Sequence, residues 1–465
     1  MLIEWIARGS RPTGSEVRNR DWLTPARFAA ALGPIVLLGV SAAQEVPPVF
    51  IQGTTLIDGT GQEPRAGVDI LLQAGRVSAV GPAGTVRAPA EAMLVDASGK
   101  FVVPGMVNLR GLAGLVRSPA EPPDHFIPSV IARHLATYAS YGVTTAATLA
   151  PDGGTVASVR TGTGSGSPPR QARALSPLRA IGRLLPPGMT STQMQPLFET
   201  IRGRRAALSA VDRLAADGAD FIELWVGHGP PDAGELRDAR AVIRRASRRN
   251  LRVSVVTSKL AAALAGVQAG ARLLAASITD TEVGQDFVEA MKDTGTVYAP
   301  ALFAETARFS YEDRPEWLGD RYLRRSLLPG ISGHLRGPVQ VAQALDPDHA
   351  LKQERFRMAL RNLRKLAQSG VAIGFASGSG FPNTFEGYSD YRECFLMKRA
   401  GLTALEVIRA FSAGSAAALG MASDIGAVQA GGYADLVILN ADPRDNIHNL
   451  RDLHAVFVGG VLVPL

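Results

Sequence analysis

From residue 131 to residue 375 the chain repeats one rhythm: a helical stretch, then a short apolar strand. Helical patterns over 131–141, 204–217 and 239–249 precede the strands 143–149, 221–225 and 253–256. Those over 261–269, 287–294 and 356–369 precede the runs 272–276, 297–299 and 371–375. The periodicity is visible in the residues themselves, since Ala207, Leu208, Val211 and Leu214 share one face of a helix. Strands apolar along their whole length and separated by helices belong in a parallel sheet covered on both faces. The count fits an α/β fold, a (β/α)8 TIM-like barrel over residues 104–423, longer than the usual ~250 residues. Residues 304–350 read as its main insertion, placed to cover the barrel mouth and carrying Tyr311, Trp317, Tyr322, His334 and His349.

The two ends have a different texture. Short strands at 49–51, 55–57, 68–72, 77–80 and 101–103 are separated by Asp58-Gly59, Gln73-Ala74-Gly75 and Gly81-Pro82, which are turn signals. Strands of the same character return at 434–439 and 455–463. The economical arrangement is one β-sandwich domain built from residues 44–103 and 424–465, with the barrel inserted between its halves. The hinge is Val103-Pro104-Gly105-Met106, where a strand leaves the small domain and enters the barrel. A final helix opens at Thr403 with Glu406 three residues on, a capping-box pattern, and runs to about Leu419.

Residues 1–43 are set apart as an address: a net basic stretch, an apolar run from Phe28 to Ala43, and Ser41-Ala42-Ala43 ahead of Gln44. This is a signal-peptide pattern, and the run is short for a membrane span of ~20 residues. Export to the periplasm or outside the cell is expected, with no stable span after cleavage and an uncleaved anchor as the alternative. The net charge is +7, and only six of the 49 basic residues are lysines. The arginines are scattered with no long basic run or aromatic interleaving, which argues against nucleic acid. The lone Cys394 cannot form an internal disulfide and reads as a core residue.

Four stretches resemble the amidohydrolase superfamily, in the branch of imidazolonepropionase and Xaa-Pro dipeptidase-like enzymes. They are Thr55-Leu56-Ile57-Asp58-Gly59-Thr60-Gly61, Val103-Pro104-Gly105-Met106-Val107, Ala400-Gly401-Leu402-Thr403, and Ile425-Gly426 through Gly431-Gly432-Tyr433-Ala434-Asp435-Leu436-Val437-Ile438-Leu439. The resemblance implies a zinc site at the C-terminal ends of the barrel strands, where the ion would lower the pKa of a bound water. It also implies His-x-His on the first strand, a carboxylated Lys or a Glu on the fourth, His on the fifth and sixth, and Asp on the eighth. At the matching positions this chain has Arg110 and Leu112, Glu223, Val256, Ala276 and Gly378. One carboxylate cannot supply the four donors that zinc takes, so no metal or other cofactor is expected.

The expectation is therefore a pseudoenzyme: an amidohydrolase-like protein without metal-dependent hydrolysis. It would bind a small molecule, or act as a subunit in a homo-oligomer or beside an active paralogue. Arg110 and Glu223 are expected to pair where the metal would sit, with Trp225 and His228 lining the remaining pocket. The alternative is an active hydrolase of carbon–nitrogen bonds with an atypical site, for which Asp124, His125, His228 and Glu223 are the candidate donors. Ser377 and Ser379 lie near the same place without a base placed beside them by sequence. The loop Gly162-Thr163-Gly164-Ser165-Gly166-Ser167 lacks the Lys-Ser/Thr ending of a phosphate loop and reads as a flexible connection.

Overall fold

The computed structural model describes residues 47–117, 124–161, 171–184, 192–227 and 232–465. Residues 1–43, the Gly162–Ser167 loop and His228 lie outside the described residues.

The strands are β1 (Val49–Leu56), β2 (Arg65–Gln73), β3 (Arg76–Pro82), β4 (Met93–Asp96) and β5 (Phe101–Pro104), then β6 (Met106–Gly111). Helix α1 (Pro128–Ser140), β7 (Val143–Leu149), α2 (Gly153–Thr161), β8 (Arg173–Leu178), β9 (Ala180–Gly182) and β10 (Phe198–Thr200) follow. Next come α3 (Arg204–Ala216), β11 (Ile222–Trp225), α4 (Ala233–Arg248), β12 (Val253–Val256), α5 (Leu260–Ala269) and β13 (Leu273–Leu274). Then α6 (Gln285–Thr294) leads into β14 (Val297–Tyr298). Four short helices occupy the insertion: α7 (Leu302–Thr306), α8 (Arg321–Arg324), α9 (Ile331–Arg336) and α10 (Pro338–Ala344). The chain ends with α11 (His349–Gln368), α12 (Tyr388–Ala400), α13 (Ala404–Arg409), α14 (Ser415–Leu419), β15 (Leu436–Leu439), β16 (Leu453–Val458) and β17 (Val461–Leu462).

One eight-stranded sheet takes strands from both ends of the described chain, in the order β17-β16-β15-β5-β1-β2-β3 with β4 beside β1. Its seam is the antiparallel pairing of Leu436–Leu439 with Pro104–Phe101. Its inward face, with Ile51, Ile70, Val102, Ile438 and Phe457, forms a core of its own.

The remaining strands form parallel sheets: β10-β9-β11-β12-β13-β14, and β6-β7-β8. Backbone bonds continue between them. Asp220 N donates to Ser176 O at 2.9 Å, and the extended stretch 371–379 bonds β14 on one side and β6 on the other. Tyr298 N donates to Ala372 O, and Leu109 N to Phe375 O, each at 2.9 Å. Gly105 is where the two sheet systems meet. A Cβ there would lie 2.1 Å from Thr144 Oγ1, so only glycine lets β6 start against β7.

The insertion packs through an aromatic cluster in which Tyr311, Tyr388, Tyr391 and Phe385 are buried. Trp317 stands edge-on to Tyr311 at 5.5 Å and to Phe303 at 5.7 Å. Cys394 is buried and free. The helix read at 403–419 is interrupted by a π turn over Ala410–Gly414, so it is observed as α13 and α14. Its cap is as read: Thr403 Oγ1 accepts from Glu406 N at 3.2 Å, and Glu406 Oε2 accepts from Thr403 N at 2.7 Å. Thr403→Ala should therefore cost about 1 kcal/mol in urea denaturation.

Candidate functional site

Parallel pairing fixes which side chains share a face. Glu223 is in register with Ser254, and Trp225 with Val256. On parallel neighbours such partners project to the same side, and residues two apart on one strand do likewise. Glu223 and Trp225 therefore point together, and the Trp225 Nε1–H donates to Glu223 Oε1 at 2.6 Å. Opposite them, β6 brings Arg110. Its guanidinium carbon lies 5.1 Å from the Trp225 ring and 5.1 Å from the Phe381 ring, between two aromatic faces.

The expected contact ion pair between Arg110 and Glu223 does not form. No nitrogen of Arg110 lies within 4.0 Å of a Glu223 oxygen, and the indole of Trp225 takes the carboxylate instead. The two charges still sense one another. Burial pushes the Glu223 carboxyl up, while the charge of Arg110 and the Trp225 hydrogen bond pull the other way. Burial lowers Arg110, and Glu223 opposes that shift. Several polar atoms around this face are buried with no protein partner: Arg110 Nε, Ser254 Oγ and Ser277 Oγ.

The other sequence-predicted positions are apolar or closed. Leu112 and Val256 are buried in the core, and Ala276 is half-buried just past β13. Gly378 has φ +64°, and a Cβ on it would stand 2.8 Å from the Cβ of Ala304 in α7. The insertion thus reaches the site through α7 and fills the space a side chain at 378 would need. Helix α7 is itself held by Glu393, a fully buried residue of α12. Its two oxygens accept from Leu302 N at 3.0 Å and Phe303 N at 2.7 Å.

Of the atypical donor set, His228 lies outside the described residues, and His125 Nδ1 accepts from Val116 N at 3.1 Å. Among the described residues, no group of three or more His, Cys, Asp or Glu side chains could hold a metal ion. At the six ring positions the donor chemistry does not fit zinc. One of the two Glu223 oxygens is bonded to an indole, the charge that acts on it is the cation of Arg110, and position 378 admits no side chain.

Sequence reasoning missed a polar network just behind the site. Asn108 Nδ2 reaches Asp390 Oδ1 at 2.7 Å and the hydroxyls of Ser377 and Ser379 at 3.0 Å each. Ser377 Oγ donates to Asp390 Oδ1 at 2.9 Å, and Gly387 N to Asp390 Oδ2 at 2.9 Å. Tyr138 OH joins through Ser379 Oγ at 2.8 Å. Every one of these side chains is buried, so the serines bind strands to α12 and meet no solvent. Burial pushes the Asp390 carboxyl up to about 7, against the hydrogen bonds from Ser377 and Ser379. A second buried acid, Glu386, pairs with Arg117 and lies 3.1 Å from His134 Nδ1. Burial would raise it, but the Arg117 guanidinium beside it prevails and holds it down at about 2. The available signal was Asn108, a polar residue two places before Arg110 in a strand whose other side chains are apolar.

Residues 337–463 match the amidohydrolase family model. The fold is similar to that of a Xaa-Pro dipeptidase with methionine bound in the active site, at 19% identity and TM-score 0.67, over 89% of this chain and 99% of that one. It is similar to molinate hydrolase at 18% identity and TM-score 0.69, over 90% of this chain and 95% of that one. It is similar to A. niger ochratoxinase at 17% identity and TM-score 0.67, over 90% and 96% of the respective chains. A search of curated proteins finds no match to this sequence.

Proposed function

We propose that this chain, which belongs to the amidohydrolase superfamily, is a ligand-binding member that does not carry out metal-dependent hydrolysis. We read its parallel strands as one (β/α)8 barrel over 104–423, seated on a composite β-sandwich of 44–103 and 424–465 and exported by residues 1–43. The observation that carries the reading is Arg110. A guanidinium held between Trp225 and Phe381, with its Nε unpartnered, stands where the family would place a metal ligand. A fixed cation repels a divalent ion and attracts an anion. The ligand class is a small carboxylate with an apolar body, the carboxylate on Arg110 and the body against Trp225.

The test is metal analysis together with binding and turnover on the full chain. N-acyl amino acids should quench tryptophan fluorescence saturably, and Arg110→Ala should weaken that binding by about tenfold or more. Purified protein should carry far less than one zinc per chain, and added zinc or manganese should yield no hydrolysis of these compounds or of Xaa-Pro dipeptides. Stoichiometric zinc that is lost in Glu223→Gln would overturn the proposal.

A further inference from the structure

The groove between α3 and α4 shares no lining residue with the face that bears Arg110, Glu223 and Trp225. Its cavity of about 620 Å³ is lined by Arg204 from α3 and by Arg237, Arg240, Arg244 and Arg248 from α4. Spacings of three, four and four residues put the α4 arginines in one stripe along the helix. Arg183 and Arg245 also line it, but these are paired with Asp232 and Asp212. The one lining acid, Asp238, is already engaged by Gly203 N at 2.8 Å. The other five arginines are exposed and have no hydrogen-bond or ion-pair partner among the described residues. Other exposed arginines are engaged, as Arg213 on Glu199, Arg249 on Asp212 and Arg272 on Thr294 O, or stand singly like Arg355; here five face one cavity.

Five unpaired like charges facing one cavity repel one another, and an anion in the groove would relieve that. We propose that this groove is a binding site for a short linear polyphosphate-type anion, a class of ligand with several phosphates in a row. The stripe from Arg237 to Arg248 is about 16 Å long at the rise of an α-helix, too long for one phosphate to engage. Arginine's planar fork matches phosphate oxygens in pairs. The concave shape and volume suit a small ligand rather than a flat surface.

The probe is inorganic tripolyphosphate, titrated into the full chain by calorimetry at about 0.15 M salt, where unspecific surface attraction is screened. Saturable binding is expected, and Arg240→Glu with Arg244→Glu should weaken it at least roughly tenfold. Arg321→Glu with Arg324→Glu changes the net charge equally on the exposed face of α8 and should leave binding within about twofold. Circular dichroism of both double variants checks that the helices remain. Equal loss in both would reduce the effect to net charge and overturn the site. So would orthophosphate binding as tightly as tripolyphosphate. A polyglutamate peptide, duplex DNA or phosphatidylglycerol vesicles binding through Arg240 and Arg244 in preference to tripolyphosphate would overturn the assignment of the ligand.

Discussion

Replacing Asp390 with alanine should cost the fold most at acid pH, and the cost should shrink as the pH rises from 3.8 toward about 7. The buried carboxyl holds its proton up to about pH 7, whereas the unfolded chain releases it near 3.8. Between those values the native state binds more protons than the unfolded one, so the contribution of Asp390 to stability falls as pH rises. A displacement of about three units corresponds to a change on the order of 4 kcal/mol across that window. Below it, Asp390→Ala strands Asn108, Ser377 and the Gly387 amide together, at roughly 2–4 kcal/mol. Glu223, Glu393 and Asp435 are pushed in the same direction by burial, so the wild-type curve alone mixes several acids. The difference between wild type and variant, from urea titrations at pH 4 to pH 8, isolates one. A difference that stays flat over the window would mean that Asp390 does not titrate there.

Arg117→Met should be the more damaging change at neutral pH, lowering stability by about 3–5 kcal/mol. It leaves Glu386, whose side chain is 3% exposed, without its principal counter-charge. His134 is a poor substitute, because its Nδ1 already accepts the Gly114 N–H at 3.0 Å. Glu386 is held down at about 2 against an unfolded value of 4.5, so the sign is opposite to that of Asp390. Its contribution is complete above pH 4.5 and is lost as the pH falls toward about 2. In Arg117→Met this acid limb should vanish. The double variant with Glu386→Gln should recover part of the loss, since the remaining partner is then uncharged. Additive effects in that double-mutant cycle would show that the two side chains are not coupled.

The strands at 143–149 and 253–256 were readable because their residues are β-branched, small or apolar throughout, with no charge on either face, as a strand covered on both sides needs. The strand at Arg173–Leu178 was not, since Arg173, Ser176 and Pro177 break its apolar run. Helix α12 was hidden for a deeper reason. Its buried face carries Ser389, Asp390, Tyr391 and Glu393, so a search for apolar residues at helical spacing finds too few. Helix α4 begins at Ala233 rather than 239 for the same reason, with Glu235 and Asp238 turned inward. At the site, strand parity put Glu223 and Trp225 on one face, but parity says nothing about which neighbour a carboxylate chooses. The indole two residues away on the same strand is already positioned, whereas a guanidinium from β6 has to be brought across. That local advantage is why Arg110 stacks on the ring and leaves the carboxylate to it.

Glu393 shows how the opening could be retuned. It touches no part of the face bearing Arg110, yet its two oxygens fix Leu302 and Phe303, and through them the helix that abuts Gly378. The aperture is thus governed from the outer layer, as a shutter is set by a screw behind its frame. Variants selected for a new ligand preference should accumulate changes along α12 as readily as among residues in contact with the ligand. A library confined to the lining would leave that adjustment untouched.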